Sequence, residues 1–330
     1  MATRTLLKNI TIINEGQLTL ADILIEGQYI KRISAGLSPE GAIEINGIGK
    51  FLFPGVIDGQ VHFREPGLTH KGDINSESRA AVAGGVTSFI DMPNTLPNVL
   101  SIEMLEEKNK IASKKSVANY GFFLGVNGDN LEEIIKLDTS KLLAVSDDGL
   151  YFTKKGNLLA DNTDTLERLL SHCKAIVAIH SEKEQIVEAN ENVYREKYGE
   201  DVPVQFHPLI RSEQACYEAT KNAIAIANKY NARLHILHLT TEAETHLFRN
   251  DIPLQNKNIT TEVSVHHLWF SDKDYARLGN LIKWNPAIKT EKDKNGLLQA
   301  LLDDRIDIVT TDHAPHTLDE KLRPYFQSMS

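Results

Sequence analysis

The sequence predicts an α/β fold, a TIM-like (β/α)8 barrel with a small N-terminal β-sandwich portion. Three observations support this prediction. Short strands linked by tight turns occupy the first part of the 330-residue chain, and eight apolar runs separated by helical segments follow them. Polar side chains follow almost every apolar run, and the ends of barrel strands are where such folds carry their active sites. A barrel of roughly 250 residues with a small appendage fits this length.

The N-terminal portion, residues 1–53, has the pattern of hairpin-linked strands. Segments 6–13, 21–26 and 29–33 mix apolar and polar residues in short bursts, and Asn-Glu-Gly and Glu-Gly-Gln stand between them. Alternation with a period of two indicates strands with one wet face, and short glycine-containing turns link antiparallel strands. We therefore expect a small β domain over residues 1–53 and the barrel over residues 54–330.

From Pro54 onward, apolar β-branched runs alternate with helical segments, which is typical of parallel strands joined by crossover helices. The predicted strands are 51–57, 86–91, 120–126, 142–146, 175–179, 233–239, 259–265 and 306–310. Apolar residues at three- and four-residue spacing predict helices over 76–83, 102–112, 163–171, 182–189, 212–229 and 292–302. Eight strands are the number that closes such a barrel.

Polar residues, most of them able to bind a metal, follow the predicted strands. In chain order they are His62, Asn94, Asn127, Asp148, His180, His238, His266, His267 and Asp312. Because the carboxyl ends of barrel strands meet at one face, these side chains are predicted to surround a single active site. The remaining histidines His172, His207, His235 and His246 are interpreted as surface or hydrogen-bonded core residues.

Composition excludes several classes of function. A net charge of −9, with basic runs no longer than pairs such as Lys114-Lys115 and Lys154-Lys155, argues against a nucleic-acid partner. Cys173 and Cys216 have no C-x-x-C spacing, so neither a disulfide framework nor a thiolate zinc site is expected. The N-terminus has no signal-like apolar region and no stretch is long enough for a membrane span. We expect a cytoplasmic protein without a membrane partner.

Two motifs carry a family resemblance. Residues 58–67 read Asp-Gly-Gln-Val-His-Phe-Arg-Glu-Pro-Gly, and residues 311–316 read Thr-Asp-His-Ala-Pro-His. From about Asn9 to Lys321 the chain resembles the dihydroorotases of the amidohydrolase superfamily. The resemblance implies a metal-dependent hydrolase barrel acting on C–N bonds other than peptide bonds. Its expected reaction is the reversible hydrolysis of dihydroorotate to N-carbamoyl-L-aspartate in de novo pyrimidine biosynthesis.

The resemblance also implies the metal ligands, which are His62, Asp148, His180, His238 and Asp312. Asp312 would be the catalytic residue as well, taking a proton from the attacking water. Gln60 stands where the family places its first histidine ligand, and an amide oxygen is a poor zinc ligand. Segment 144–149 lacks the lysine that many amidohydrolases carboxylate, so Asp148 takes that position, and Lys154 and Lys155 lie too far into the next loop. We expect one tight zinc site and leave a weak second site open.

Substrate recognition is the third implication of the resemblance. The residues assigned to it are Arg64, Asn94, Asn285 and His316. Dihydroorotate and N-carbamoyl-L-aspartate are small anions, and a planar guanidinium suits a carboxylate because it donates two parallel hydrogen bonds. Arg64 is therefore expected to contact the substrate carboxylate.

The resemblance ends near residue 321. Family members continue through a glycine-rich substrate loop, a last barrel helix and a return to the β domain, so we expect this chain to be truncated at its C-terminus. A barrel without the last helix is expected to be less stable, and this form to be weak or inactive as an enzyme.

Two other functions stay open. One is a hydantoinase- or allantoinase-type cyclic amidase, which Arg64 argues against because those substrates need no ring carboxylate. The other is a catalytically silent dihydroorotase-like subunit that serves as a scaffold, for example for aspartate transcarbamoylase. Gln60 favours the scaffold, whereas the retained His180 and His238 oppose it. A homodimer is the alternative assembly.

Overall fold

The computed structural model describes residues 3–38, 40–150 and 159–330. The chain divides into two compact units, one up to Val56 and one from Ile57 onward. The boundary predicted from the sequence lies three residues earlier, after residue 53. Lys154 and Lys155 lie outside the described residues.

The first unit is a five-stranded sheet. Its strands are β1 Arg4–Asn14, β2 Gln17–Glu26, β3 Tyr29–Ser34, β4 Ile43–Asn46 and β5 Phe51–Leu52. They lie in the order β3-β2-β1-β4, and β5 pairs further along the same β1 strand. Glu15 and Gly16 both have positive φ in the β1–β2 turn, as a tight hairpin requires. The described residues thus supply one layer of the predicted sandwich portion.

The second unit is a barrel of eight strand positions, the third of which is interrupted. The strands are β6 Val56–Val61, β7 Val86–Asp91, β8 Asn119–Phe122 with β9 Leu124–Gly125, β10 Ala144–Ser146, β11 Ile176–Ile179, β12 Leu234–Ile236, β13 Ile259–Ser264 and β14 Ile308–Thr310. Neighbours pair in chain order within the sheets β6-β7-β8 and β9 to β14. An isolated parallel bridge between Val61 and His313 joins the first strand to the segment just after the last. The predicted barrel fold is confirmed.

Helices occupy the connections between strands. Those described are α1 Ile74–Ala83, α2 Ile102–Lys115, α3 Leu131–Ile134, α4 Thr163–His172, α5 Glu184–Tyr198, α6 His207–Ile210, α7 Glu213–Tyr230, α8 Glu242–Thr245, α9 Val265–Trp269, α10 Tyr275–Leu278, α11 Glu291–Leu302 and α12 Leu318–Lys321. Leu166 and Leu169 of α4 and Ala223 of α7 pack with Val145 and Val177 in the main core, which fixes β10 and β11 in place. None of the described helices combines the length and apolarity needed to cross a bilayer.

The first barrel strand differs from the prediction. Run 51–57 is not one strand: Phe51 and Leu52 pair with β1, and β6 begins only at Val56. Pro54 and Gly55 separate the two, since proline lacks the N–H that a ladder needs. As a result Gln60 lies inside β6 and His62 directly follows it.

Apolar side chains are exposed at the seam between the first and last strands. Ile308 and Val309 of β14 each keep 38% of their surface exposed, and Ile57 of β6 keeps 62%. Barrel strands are normally covered on this side by helices. Among the described residues, the wall therefore leaves apolar side chains in contact with solvent here.

Candidate active site

The five residues predicted as metal ligands meet at the carboxyl ends of the barrel strands. They form two groups that share Asp148. One group is Asp148, His180 and His238, and the other is His62, Asp148 and Asp312. Within each group the ligand atoms lie within 4.8 Å of one another, and every member is buried. Residues up to 250 positions apart are thus brought to one point by the barrel.

The first group has the donors and spacing that zinc requires. His180 Nδ1 lies 3.1 Å from His238 Nε2 and 3.7 Å from an Asp148 oxygen. Two nitrogens on one tetrahedral zinc lie roughly 3.3 Å apart, given Zn–N bonds of about 2.0–2.1 Å. Burial is the main cause that lowers the pKa of His238 to about 3, which keeps its imidazole in the neutral, metal-binding form. Burial also opposes protonation of His180, but Glu182 and Asp148 outweigh burial and raise its pKa, so a metal would bind there with release of a proton. These residues fit a zinc ion.

His180 is held from behind by a residue that the sequence analysis missed. Glu182 Oε2 accepts from His180 Nε2 at 2.8 Å and forms an ion pair with Arg211. This contact leaves Nδ1 of His180 as the nitrogen that faces the site. Burial opposes ionisation of Glu182, but Arg211 and His180 outweigh it and lower its pKa. The sequence did contain a signal for Glu182, because this carboxylate stands two residues after a candidate histidine ligand.

The second group is a hydrogen-bonded cluster around His62. Its Nε2 lies 3.0 Å from Asp312 Oδ1 and 3.3 Å from Asp148 Oδ2. Burial alone would lower the pKa of His62, but both carboxylates outweigh burial and raise it to about 10. Burial raises the pKa of Asp312 despite the hydrogen bond from His62.

Gln60 completes this cluster from inside β6. Its Nε2 donates to Asp148 Oδ2 at 2.9 Å, while its Oε1 is buried without a hydrogen-bond partner among the described residues. The side chain is fully buried. The amide therefore occupies one Asp148 oxygen with an N–H group, where a metal ligand would offer a lone pair.

Two adjacent carboxylates after β10 have different tasks. Asp147 accepts the backbone N–H groups of His180 at 2.9 Å and Leu159 at 2.6 Å. Burial raises the pKa of Asp147 to about 7. Asp148 alone faces His62 and His180. Asp147 thus positions the backbone that carries His180.

Three residues of the site have a left-handed backbone conformation. The φ angles are 64° at Arg64, 35° at His238 and 48° at Asp312. This conformation costs non-glycine residues on the order of 1–3 kcal/mol each and concentrates at functional sites. The surrounding barrel therefore supplies stability to hold these side chains in place.

A cavity of about 180 Å³ opens beside Asp148 and Asp312. All four residues assigned to substrate recognition line it: Arg64, Asn94, Asn285 and His316. Trp284 and Met329 add apolar surface, and Lys71, which the sequence analysis did not single out, also lines the wall. The cavity thus joins a cationic wall to the carboxylates of the site.

The four residues assigned to substrate recognition differ in their hydrogen-bond partners. Arg64 donates to the Pro315 carbonyl at 3.1 Å and lies 3.0 Å from His316 Nε2. Asn285 Nδ2 donates to Ser330 Oγ at 2.8 Å. Asn94 Oδ1 lies 2.7 Å from His62 Nδ1, so Asn94 also orients His62.

Gly149 makes the approach of Asn94 possible. Its φ is 70°, and a Cβ atom there would lie 2.2 Å from Asn94 Nδ2. Any larger residue would displace Asn94 from His62. The glycine of the Asp-Asp-Gly segment is thus part of the site and more than a turn residue.

The other strand-end and histidine positions lie outside the two ligand groups. Asn127 accepts backbone N–H groups of Asp129 and Asn130 and so shapes a turn. His235 is bonded to Thr260 and Glu262, and His207 to Tyr325 and the Trp284 carbonyl, all inside the protein. His266 stacks on Trp284 with ring centroids 4.3 Å apart.

Known proteins resemble this chain over almost all of its length. A family model described as Dihydro-orotase-like matches residues 49–196. The chain is 33% identical over 324 residues to a dihydroorotase of Methanosarcina acetivorans, covering 96% of this chain and 68% of that relative. It is 32% identical to a dihydroorotase of Lactobacillus acidophilus, covering 96% and 73%. The chain belongs to the dihydroorotase family.

Solved structures agree on the fold. This dihydroorotase-family chain superposes on an L-hydantoinase from Arthrobacter aurescens with a TM-score of 0.82, covering 97% of this chain and 71% of that one at 22% identity. A D-hydantoinase from Thermus sp. gives a TM-score of 0.82, with 99% and 73% covered at 24% identity. At such identity these neighbours establish the barrel architecture alone.

Proposed function

We propose that this dihydroorotase-family chain catalyses the reversible hydrolysis of dihydroorotate to N-carbamoyl-L-aspartate, the step that the family name implies for pyrimidine biosynthesis. The observation that carries the proposal is that Arg64 and His316 line one wall, and Asp148 and Asp312 another, of one and the same cavity. A cyclic substrate with one carboxylate needs both an anion-binding group and a group that moves a proton.

Asp148, His180 and His238 are the residues proposed to hold a zinc ion. A zinc ion bound there would act as a Lewis acid and would lower the pKa of a water molecule bound to it. A second metal between His62, Asp148 and Asp312 is disfavoured, because Gln60 donates a hydrogen bond to the Asp148 oxygen that such a metal would need. The proposal is therefore one tight zinc per chain.

Asp312 is the proposed general base. It accepts a proton from the water that attacks the ring carbonyl and delivers it to the ring nitrogen as the C–N bond breaks. The new carboxylic acid then loses the second proton of that water to solvent and becomes the carboxylate. Burial raises the pKa of Asp312, and a raised pKa makes a carboxylate a stronger base near neutral pH. His62, 3.0 Å away, holds the carboxylate in place.

Arg64 is the proposed contact for the substrate carboxylate, with His316 beside it. Asn285 and Asn94 would bound the ring, and Asn94 has the further task of orienting His62. A cytoplasmic location accords with Cys173 and Cys216, which are both free and buried.

Two alternatives stay open. A hydantoinase- or allantoinase-type cyclic amidase would take an uncharged cyclic amide, and Arg64 would then lack an anion. The bond from Gln60 to Asp148 favours a silent scaffold subunit, for which aspartate transcarbamoylase or a second copy would be the partner.

The deciding experiment is turnover with purified, zinc-supplemented protein. Dihydroorotate, dihydrouracil and hydantoin are supplied separately, and the opened products are quantified by chromatography, with the reverse reaction started from N-carbamoyl-L-aspartate. The proposal expects turnover of dihydroorotate in both directions. Turnover of the uncharged rings alone would favour the hydantoinase alternative. A protein that turns over nothing but co-elutes with aspartate transcarbamoylase would favour the scaffold.

A further inference from the structure

Lys71 lies in the wall of the cavity without an assigned role. It follows β6 on the loop that also carries Arg64, and only 6% of its side chain is exposed. Its Nζ lies 3.2 Å from His316 Nδ1 and 3.3 Å from a Glu320 oxygen. A lysine seldom gives up this much hydration unless its charge has a partner.

The His316 ring stands between two cations. Arg64 Nη2 lies 3.0 Å from its Nε2, and Lys71 Nζ approaches its Nδ1 from the other side. A neutral imidazole has one lone pair and one N–H, so it can accept from only one of the two. Burial and both cations lower the pKa of His316 to about 3, which excludes the doubly protonated ring at neutral pH.

The nearby carboxylate balances only part of this charge. Glu320 pairs with Lys71, and it also caps α12 by accepting the Thr317 N–H at 3.0 Å. Arg64 donates to a neutral carbonyl and to His316. His316 can accept from only one of the two cations and Glu320 pairs with Lys71, whereas Asp148 and Asp312 line another wall of the cavity. An anion that enters the cavity would therefore give Lys71 and Arg64 a shared acceptor.

We propose that Lys71 and Arg64 together form a two-cation subsite for the substrate carboxylate, and that Lys71 makes the enzyme select anionic cyclic ureides over uncharged ones. This inference rests on the function proposed above, and it assigns the selectivity to a residue that neither motif contains. The contacts of Lys71 are to His316 and Glu320 rather than to the proposed base Asp312, so its contribution is to binding and not to the proton transfer.

The test compares Lys71→Met, Lys71→Arg and the exposed control Lys110→Met, each checked for an unchanged melting temperature. Lys71→Met is expected to raise KM for dihydroorotate about 10- to 100-fold, as loss of a charged hydrogen bond does, with kcat little changed. Binding of orotate, a non-reacting ring with the same carboxylate, should weaken by the same factor in calorimetry. Lys71→Arg should keep KM for dihydroorotate and the affinity for orotate close to the parent values, and Lys110→Met should change neither quantity.

The outcomes separate the two proposals. A parent protein that neither turns over dihydroorotate nor binds orotate overturns the proposed function and this subsite with it. If the parent binds orotate, the affinity of Lys71→Met for orotate tests the subsite even when no turnover is detected. Unchanged orotate affinity and unchanged KM in Lys71→Met overturn the subsite while the proposed function stands. A fall in kcat at constant KM also overturns it, because Lys71 would then act on catalysis.

Discussion

Gln60 donates a side-chain N–H group to Asp148 Oδ2 at 2.9 Å, and the proposal of one tight zinc rests on this bond. Asp148 is the one residue common to both ligand groups. Because Asp148 Oδ2 already accepts the Gln60 N–H group, the His62 side of the site has His62 and Asp312 as its other ligands and lacks a third strong donor.

Gln60→His should therefore raise the zinc content. Elemental analysis after dialysis is expected to give about one zinc per parent chain and nearer two for Gln60→His, since imidazole supplies the missing lone pair. Gln60→Ala is the matched control, because it removes the amide without adding a ligand and should stay near one. Two tightly held zinc ions in the parent would contradict this account.

Asp312→Asn should abolish most turnover while zinc stays bound. The amide keeps the shape of the carboxylate but cannot accept the proton, and loss of a general base costs roughly 10²- to 10⁴-fold in rate. The zinc content should hold because His180, His238 and Asp148 are untouched. Near-normal kcat in this variant would mean that another group moves the proton.

Arg64→Lys tests the planar fork of the guanidinium. A lysine keeps the charge but loses the paired geometry, so KM for dihydroorotate should rise by about tenfold or more with a smaller change in kcat. Arg64 also donates to the Pro315 carbonyl, so the melting temperature must be measured beside KM. A lower kcat at constant KM would remove Arg64 from substrate binding.

Glu182→Gln should weaken zinc binding. Glu182 accepts from His180 Nε2 at 2.8 Å, and loss of such an outer partner typically costs about 10- to 100-fold in metal affinity. Competition with a chelator measures the change, and Glu196→Gln on the exposed side of α5 is the control. A cobalt-substituted protein with an unaltered visible spectrum in Glu182→Gln would argue that His180 needs no such support.

Glu244 should make stability depend on pH. Burial raises its pKa to about 7, although Thr220 and Thr241 both donate to it. An acid with a raised pKa in the folded state binds its proton more tightly there, so stability falls as pH rises from about 4.5 to 7. Glu244→Gln mimics the protonated form, so it should match the parent near pH 4.5 and exceed it by roughly 3 kcal/mol above pH 7. Denaturant unfolding of the parent and of Glu244→Gln across this pH range measures both stabilities. If the two free energies of unfolding change in parallel with pH, the role of Glu244 is refuted.

Much of the site could be predicted from the sequence because strand ends in a barrel converge. His180 directly follows β11 and His238 lies two residues after β12, so their meeting needed only the fold, although the predicted strand 233–239 extended three residues too far. Lys71 and Glu182 could not be found this way, because neither stands at a strand end. Lys71 lies in a loop and acquires its role from its contact with His316. Glu182 follows a ligand and is held by Arg211. The first barrel strand was misplaced for a local reason: its apolar run continues through Pro54 and Gly55, and only the pairing partners show where one sheet ends and the other begins.

The contact between His62 and Asp312 closes a chain segment of 250 residues. Bringing such ends together costs about 5 kcal/mol of chain entropy, a cost that local helices do not share. During folding, the central strands carrying His180 and His238 can pair first, whereas the first and last strands must wait for everything between them. Recovery of enzyme activity after dilution from denaturant should then lag behind recovery of helical signal, and the proton-transfer half of the pocket would be the last part of the molecule to form.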